Sequence, residues 1–231
     1  MKKPVLFILL LMFGCVQAFA HALWIETKTR GTKGQKQDVK VFFGEYADNE
    51  RDSTAKWFSN LRSFELALTG PDGKRVILPT TQETGFYSAS FTPEKDGLYT
   101  LSIVHEVADV YNAGKLQYYA LADVQVGTKA GKHSCTAPFD ITGLAGAKAG
   151  KDAKLALHFD KKPLAAHPIT LVAPGAKPVE IKTGTNGEAA WKPVAGAHFL
   201  EAVREEKKAG THQGKPYETI WHMVTLFTEV G

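Results

Sequence analysis

Apolar and polar residues alternate with a period of two along nearly every apolar segment of the chain. These segments are rich in Val, Thr, Tyr and Phe, and Gly, Pro, Asn or Asp bounds them. A period of two places successive side chains on opposite faces of an extended backbone, so the pattern predicts an all-β protein. In the first half the predicted strands are Ala22–Thr29, Gln37–Gly44, Ser63–Thr69, Arg75–Leu78, Gly85–Phe91, Leu98–Glu106 and Leu116–Val126, with a turn at Pro71-Asp72-Gly73. That is enough for one β-sandwich. The stretch Asp48–Leu61 breaks the alternation, is polar apart from Trp57 and Phe58, and reads as a helical turn or a long loop, the kind of segment on which β domains carry function.

From Gly127 to Gly150 the composition shifts to Gly, Ala, Lys, Ser and Pro with few large apolar residues, which predicts a linker and a domain boundary near Phe139. Beyond it the predicted strands are Lys154–Phe159, Ile169–Ala173, Val179–Lys182, Glu188–Pro193, His198–Glu205 and Tyr217–Glu229, with Thr185-Asn186-Gly187 as a turn. The expected organisation is therefore a sandwich over 21–127, a linker over 128–150 and a smaller sandwich over 151–231.

Residues 1–20 read as a signal peptide. Lys2 and Lys3 supply the positive start, Val5 to Phe13 the apolar stretch, and Ala18-Phe19-Ala20 the small-x-small cleavage pattern. Cleavage after Ala22 also satisfies that pattern, and Cys15 lacks the Leu and small residue that precede a lipidated cysteine. The apolar stretch is too short to span a bilayer and no second one follows, so an exported chain, in the periplasm or beyond, without a transmembrane segment is expected. Cleavage after Ala20 leaves about 211 residues that begin at His21, and Cys135 is then the sole cysteine, so no internal disulfide can form. Against 28 Lys and Arg stand 24 Asp and Glu, a net charge of +4 with no basic cluster free of acids, which excludes a nucleic-acid surface.

In the second unit, Leu155–Leu164, Ile169-Thr170-Leu171 and Thr183-Gly184-Thr185-Asn186-Gly187-Glu188-Ala189 resemble the transthyretin-like or immunoglobulin-like modules of many secreted proteins. Together with the His21-x-x-Trp24 start, Phe43-Gly44-Glu45, and Tyr118-Tyr119-Ala120 before Val126-Gly127, the whole mature chain resembles the domain of unknown function 4198 family. That family is grouped with the periplasmic M-type components of nickel uptake. The resemblance implies two β-sandwiches in an exported protein that handles a transition metal, with the processed N-terminal histidine as a ligand.

The chemistry of such a terminus is specific. A histidine at the chain start can close a chelate ring through its α-amine and Nδ1, a nitrogen pair that suits Ni or Cu. An α-amine and an imidazole ordinarily titrate near ~7.7–8.0 and ~6.5, so protons compete with the metal around neutrality. The alternative is that His21 is merely solvated. His105 shares a strand face with Tyr99, Leu101 and Ile103 and is the expected second ligand, a hydrogen-bonded histidine at the core edge being the alternative. His133 and Cys135 lie two residues apart in the expected linker, where both can reach one soft metal, an incidental exposed loop thiol being the preferred alternative. His158, His198 and His222 fall within strand patterns, and His167 and His212 fall in loops.

Neither a nucleophile elbow, a phosphate-binding glycine loop nor a zinc-helix motif occurs, so no enzyme is expected. The expected function is periplasmic capture or delivery of Ni or Cu, with a membrane transporter or envelope protein as partner. The alternatives are a metal-free interaction module of the cell envelope and a secreted copper-dependent oxidative enzyme.

Overall fold

Seventeen strands form along residues 21–231, the part of the chain that the computed structural model describes, and two three-residue 3-10 turns, Thr54–Lys56 and Leu61–Ser63, interrupt them. The all-β class expected from the alternation is what the chain adopts. The expected signal peptide, residues 1–20, lies outside the described residues. No helix among the described residues is long and apolar enough to cross a membrane.

The first half contributes β1 (Ala22–Thr27), β2 (Arg30–Gly31), β3 (Gln37–Gly44), β4 (Leu66–Thr69), β5 (Arg75–Leu78), β6 (Thr81–Gln82), β7 (Tyr87–Phe91), β8 (Gly97–Tyr111) and β9 (Gly114–Val126). The second contributes β10 (Phe139–Thr142), β11 (Ala153–Phe159), β12 (Lys162–Pro163), β13 (Pro168–Val172), β14 (Val179–Lys182), β15 (Glu188–Trp191), β16 (Gly196–His212) and β17 (Lys215–Val230).

A nine-stranded sheet in the order β14-β13-β16-β17-β9-β8-β4-β5, with β2 beside β9, runs through both halves. A four-stranded sheet, β1-β3-β7-β6, covers one face, and a second small sheet of β10, β11, β12 and β15 covers the other. Alternation along β9 explains the layering. Tyr118, Ala120, Ala122, Val124 and Val126 enter the core under the first small sheet, whereas Tyr119 and Leu121 enter the core under the second. β17 divides in the same way, with Met223 on one side and Val224 and Leu226 on the other.

The two expected sandwiches thus share their large sheet. β9 and β17 pair in parallel, from Thr219 opposite Gly114 to Phe227 opposite Ala122. Nor do residues 128–150 run free between the halves. Phe139–Thr142 is β10, paired with β11, and the Phe139 and Ile141 side chains are fully buried. Four strand residues between Gly- and Ala-rich flanks are too few for alternation to register, which is why composition reads this stretch as linker. The hairpins β8–β9 and β16–β17 extend well past their apolar rows, as at Glu205–His212, because strand pairing continues where both faces are polar.

Because Leu121 belongs to the first half and fills the core of the second, the halves are expected to unfold together. Leu121→Ala should lower the unfolding free energy by about 2–5 kcal/mol. Denaturant unfolding followed by tryptophan fluorescence and far-ultraviolet circular dichroism should give one coincident transition, and two resolved transitions would show that the halves are independent.

Candidate functional site

His21 stands one residue before β1. Its ring is tilted against Phe43 at 5.5 Å between centroids, and its Nε2 lies 3.6 Å from Asp52 Oδ2. The fold that brings Asp52 there depends on Gly44, which ends β3 opposite Ala22. Gly44 has φ +150°, and a Cβ on it would lie 2.4 Å from Glu50 O, so only glycine fits. The chain then doubles back. Glu45 N–H donates to Glu50 O at 3.1 Å, Glu50 N–H to Glu45 O at 2.9 Å, and Asp52 N–H to Phe43 O at 2.9 Å. Acids therefore ring the start of β1, and burial together with neighbouring Asp48 raises the pKa of Glu45. The nearby cation is turned elsewhere: Arg51 pairs with Glu26 at 3.0 Å and lies over the rings of Trp24 and Phe42.

Beneath this rim lies Glu201. It pairs opposite Thr225 in the β16–β17 ladder, on the face of the central sheet that carries Phe199 and Val203. Its Oε1 is buried without a hydrogen-bond partner. Burial, reinforced by Glu45, pushes the Glu201 carboxyl up to about 7. Tyr118 connects the two levels: its hydroxyl donates to His21 O at 3.4 Å, and burial and then Glu201 raise its pKa. Thr225 Oγ1 donates to Leu23 O at 2.8 Å and ties β17 to β1 at the same place.

The contacts of His105 are separate from those of His21. His105 is buried, its Nε2 lies 3.2 Å from Asn60 Oδ1, and burial lowers its pKa, which keeps the ring neutral. Asn60 in turn accepts from Ala108 N–H at 2.8 Å, so His105 belongs to the anchoring of the 3-10 turns on β8. Its place on the face of Tyr99, Leu101 and Ile103 is as the alternation predicts, at the edge of the first core.

His133 and Cys135 lie at the floor of a cleft between the central sheet and the second small sheet. His133 Nδ1 lies 2.9 Å from Asp123 Oδ1, and its Nε2 lies 3.1 Å from Asp140 Oδ1. Burial opposes a charge on this ring, but Asp123 and Asp140 overcome it and push the pKa up to about 12. Of the remaining histidines, His222 bridges Tyr119 and Glu206, His167 meets Val203 O, His212 meets Val107 O, and fully buried His198 meets Gly196 O.

Asp123, Asp140 and Glu201 escape a reading of motifs. Glu201 occupies a period-two position between apolar Phe199 and Val203, and Asp123 follows Tyr119 and Leu121 on one face; an acid in such a row is the signal available in the sequence. A scan against protein-family models gave no match for this chain, and a search of curated proteins gave none.

His105→Ala is expected to cost about 1–3 kcal/mol of stability through the lost hydrogen bond and contacts. Binding of Ni(II) and Cu(II), measured by calorimetric titration, should stay unchanged. Metal binding lost from a protein that still unfolds cooperatively would return His105 to the site.

Proposed function

We propose that the protein is an exported transition-metal-binding protein that captures or delivers nickel or copper in the periplasm through an N-terminal histidine. The observation that carries this reading is Glu201, a buried carboxylate oxygen without a hydrogen-bond partner, set beneath an acid rim that holds the His21 imidazole and beside which Arg51 is engaged by Glu26. Buried carboxylates are normally paired or coordinate a cation, so this corner of the fold favours a positively charged guest. After processing at Ala20, the α-amine and ring of His21 would supply neutral nitrogen donors, with Asp52 and Glu45 beside them.

The resemblance to the domain of unknown function 4198 family supports the same reading, since it implies an exported protein with a metal-binding N-terminal histidine. His105 takes no part. Neutral donors make the site sensitive to acid, because protons compete with the metal for both nitrogens. Protonation, or transfer to a membrane transporter or another envelope protein, would release the ion, and this reading involves no catalytic step.

Native mass spectrometry of the processed chain should show a mass that begins at His21 and one bound Ni(II) or Cu(II). A variant with one additional Ala before His21 should bind at least ~100-fold more weakly, and Glu201→Gln should weaken binding by ~10-fold. Affinity should also fall steeply between about pH 8 and pH 6. Equal binding by the native and extended chains would overturn the reading and bring the metal-free interaction module forward.

A further inference from the structure

We infer that His133, Cys135 and Asp140 form a second, independent metal site, built for a borderline-soft divalent ion such as Zn(II) and open to the cleft above it. A ring nitrogen of His133, the Sγ of Cys135 and a carboxylate oxygen of Asp140 all lie within 4.8 Å of one another, and they are the only such group of three among the described residues.

Two of these donors meet each other at a separation that an ion between them could use. His133 Nε2 and Asp140 Oδ1 are both buried and face each other at 3.1 Å, an ion-pair distance without the alignment of a hydrogen bond. The His133 side chain is only 9% exposed, so water does not readily satisfy it. Two ligands at ~2.0–2.1 Å from a tetrahedral ion lie roughly 3.3 Å apart, close to the separation observed. The pair thus has the spacing of one edge of a coordination tetrahedron.

The support behind His133 is that of a ligand. Its Nδ1 lies 2.9 and 3.0 Å from the two oxygens of Asp123, and Thr100 Oγ1 donates to the same carboxylate at 2.9 Å. A carboxylate on Nδ1 fixes the ring and leaves Nε2 facing the site, the arrangement in which histidines hold metals. Ser134 N–H donates to Thr100 Oγ1 at 3.3 Å, which pins the backbone between His133 and Cys135 to β8. Cys135 completes the set from the outer side, and the cleft, with His158 and Asp160 on its wall, leaves a fourth position for water or a small ligand. A donor set of one nitrogen, one thiolate and one carboxylate suits Zn(II), in contrast to the amine and imidazole of His21.

The test uses the processed chain carrying His21→Ala, so that the N-terminal reading can fail or hold without affecting the outcome. Titration with Co(II), a spectroscopic stand-in for Zn(II), should give one ion per chain and a thiolate-to-metal charge-transfer band. Cys135→Ala should abolish the band and weaken Zn(II) binding by at least ~10-fold, and Asp140→Asn should weaken it comparably. Zn(II) should also slow alkylation of Cys135 in the protein with all three donors intact, a readout that needs no variant at the site. Absence of the band, an alkylation rate indifferent to Zn(II), or equal Zn(II) affinity before and after Cys135→Ala would each overturn the assignment.

Discussion

The parallel pairing of β9 with β17 is the constraint on which the rest of the molecule depends. Both strands are buried on two faces, and each face belongs to a different core, so neither half can complete its interior without the other. A fully buried Leu or Tyr contributes about 1.5–3 kcal/mol relative to exposure, and the two strands carry many such residues. With Cys135 the only cysteine in the described chain, no internal disulfide reinforces this burial. The small sheets are lids on a common plate. The corner around His21 exists because β1 packs on β9 and β17, and the cleft around His133 exists because the segment before β10 crosses the opposite face of the same plate.

Each face of the plate also carries a buried acid, and the two are treated differently. On one face Asp123 is held by Thr100 and by His133, so its charge is compensated within the fold. On the other face Glu201 keeps an oxygen without a donor, and its carboxyl is pushed up towards neutrality. A buried acid without a partner costs free energy, and a chain of this size could fill that position with an apolar side chain. Retention of the acid beside the start of β1 makes sense when a cation from outside the described set of contacts offsets it.

The fold was legible wherever one face of a strand is apolar and the other polar. Gln37–Gly44, Arg75–Leu78 and Val179–Lys182 have the expected bounds, and the turns at Pro71-Asp72-Gly73 and Thr185-Asn186-Gly187 follow from residues with few other uses. β10 was not legible, because four residues between Gly-rich flanks carry no periodic signal. The sharing of one sheet was not legible either, since it depends on parallel pairing of strands about a hundred residues apart, and alternation within a strand says nothing about its neighbour. Of the candidate ligands, the rings of His21 and His133 face carboxylates, whereas that of His105 faces an amide. The difference lies in partners supplied by other strands: Asp140 and Asp123 for His133, Asp52 for His21, and the neutral Asn60 for His105.

Those partners separate the two proposed sites by how much of each the fold builds in advance. At the proposed His133 site the ring is held by Asp123 and the backbone beside it is pinned to Thr100, so binding a metal there would cost little ordering and select for size and geometry. At the proposed His21 site the donors would belong to the terminus left by processing, half exposed against Phe43 and Asp52, so the site would take ions readily and yield them to protons or a competing ligand. A tightly preorganised site suits an ion that stays, and a terminal chelate suits one that passes through. The two faces of one plate would then serve retention and transfer, which gives a physical reason for a single chain to carry both.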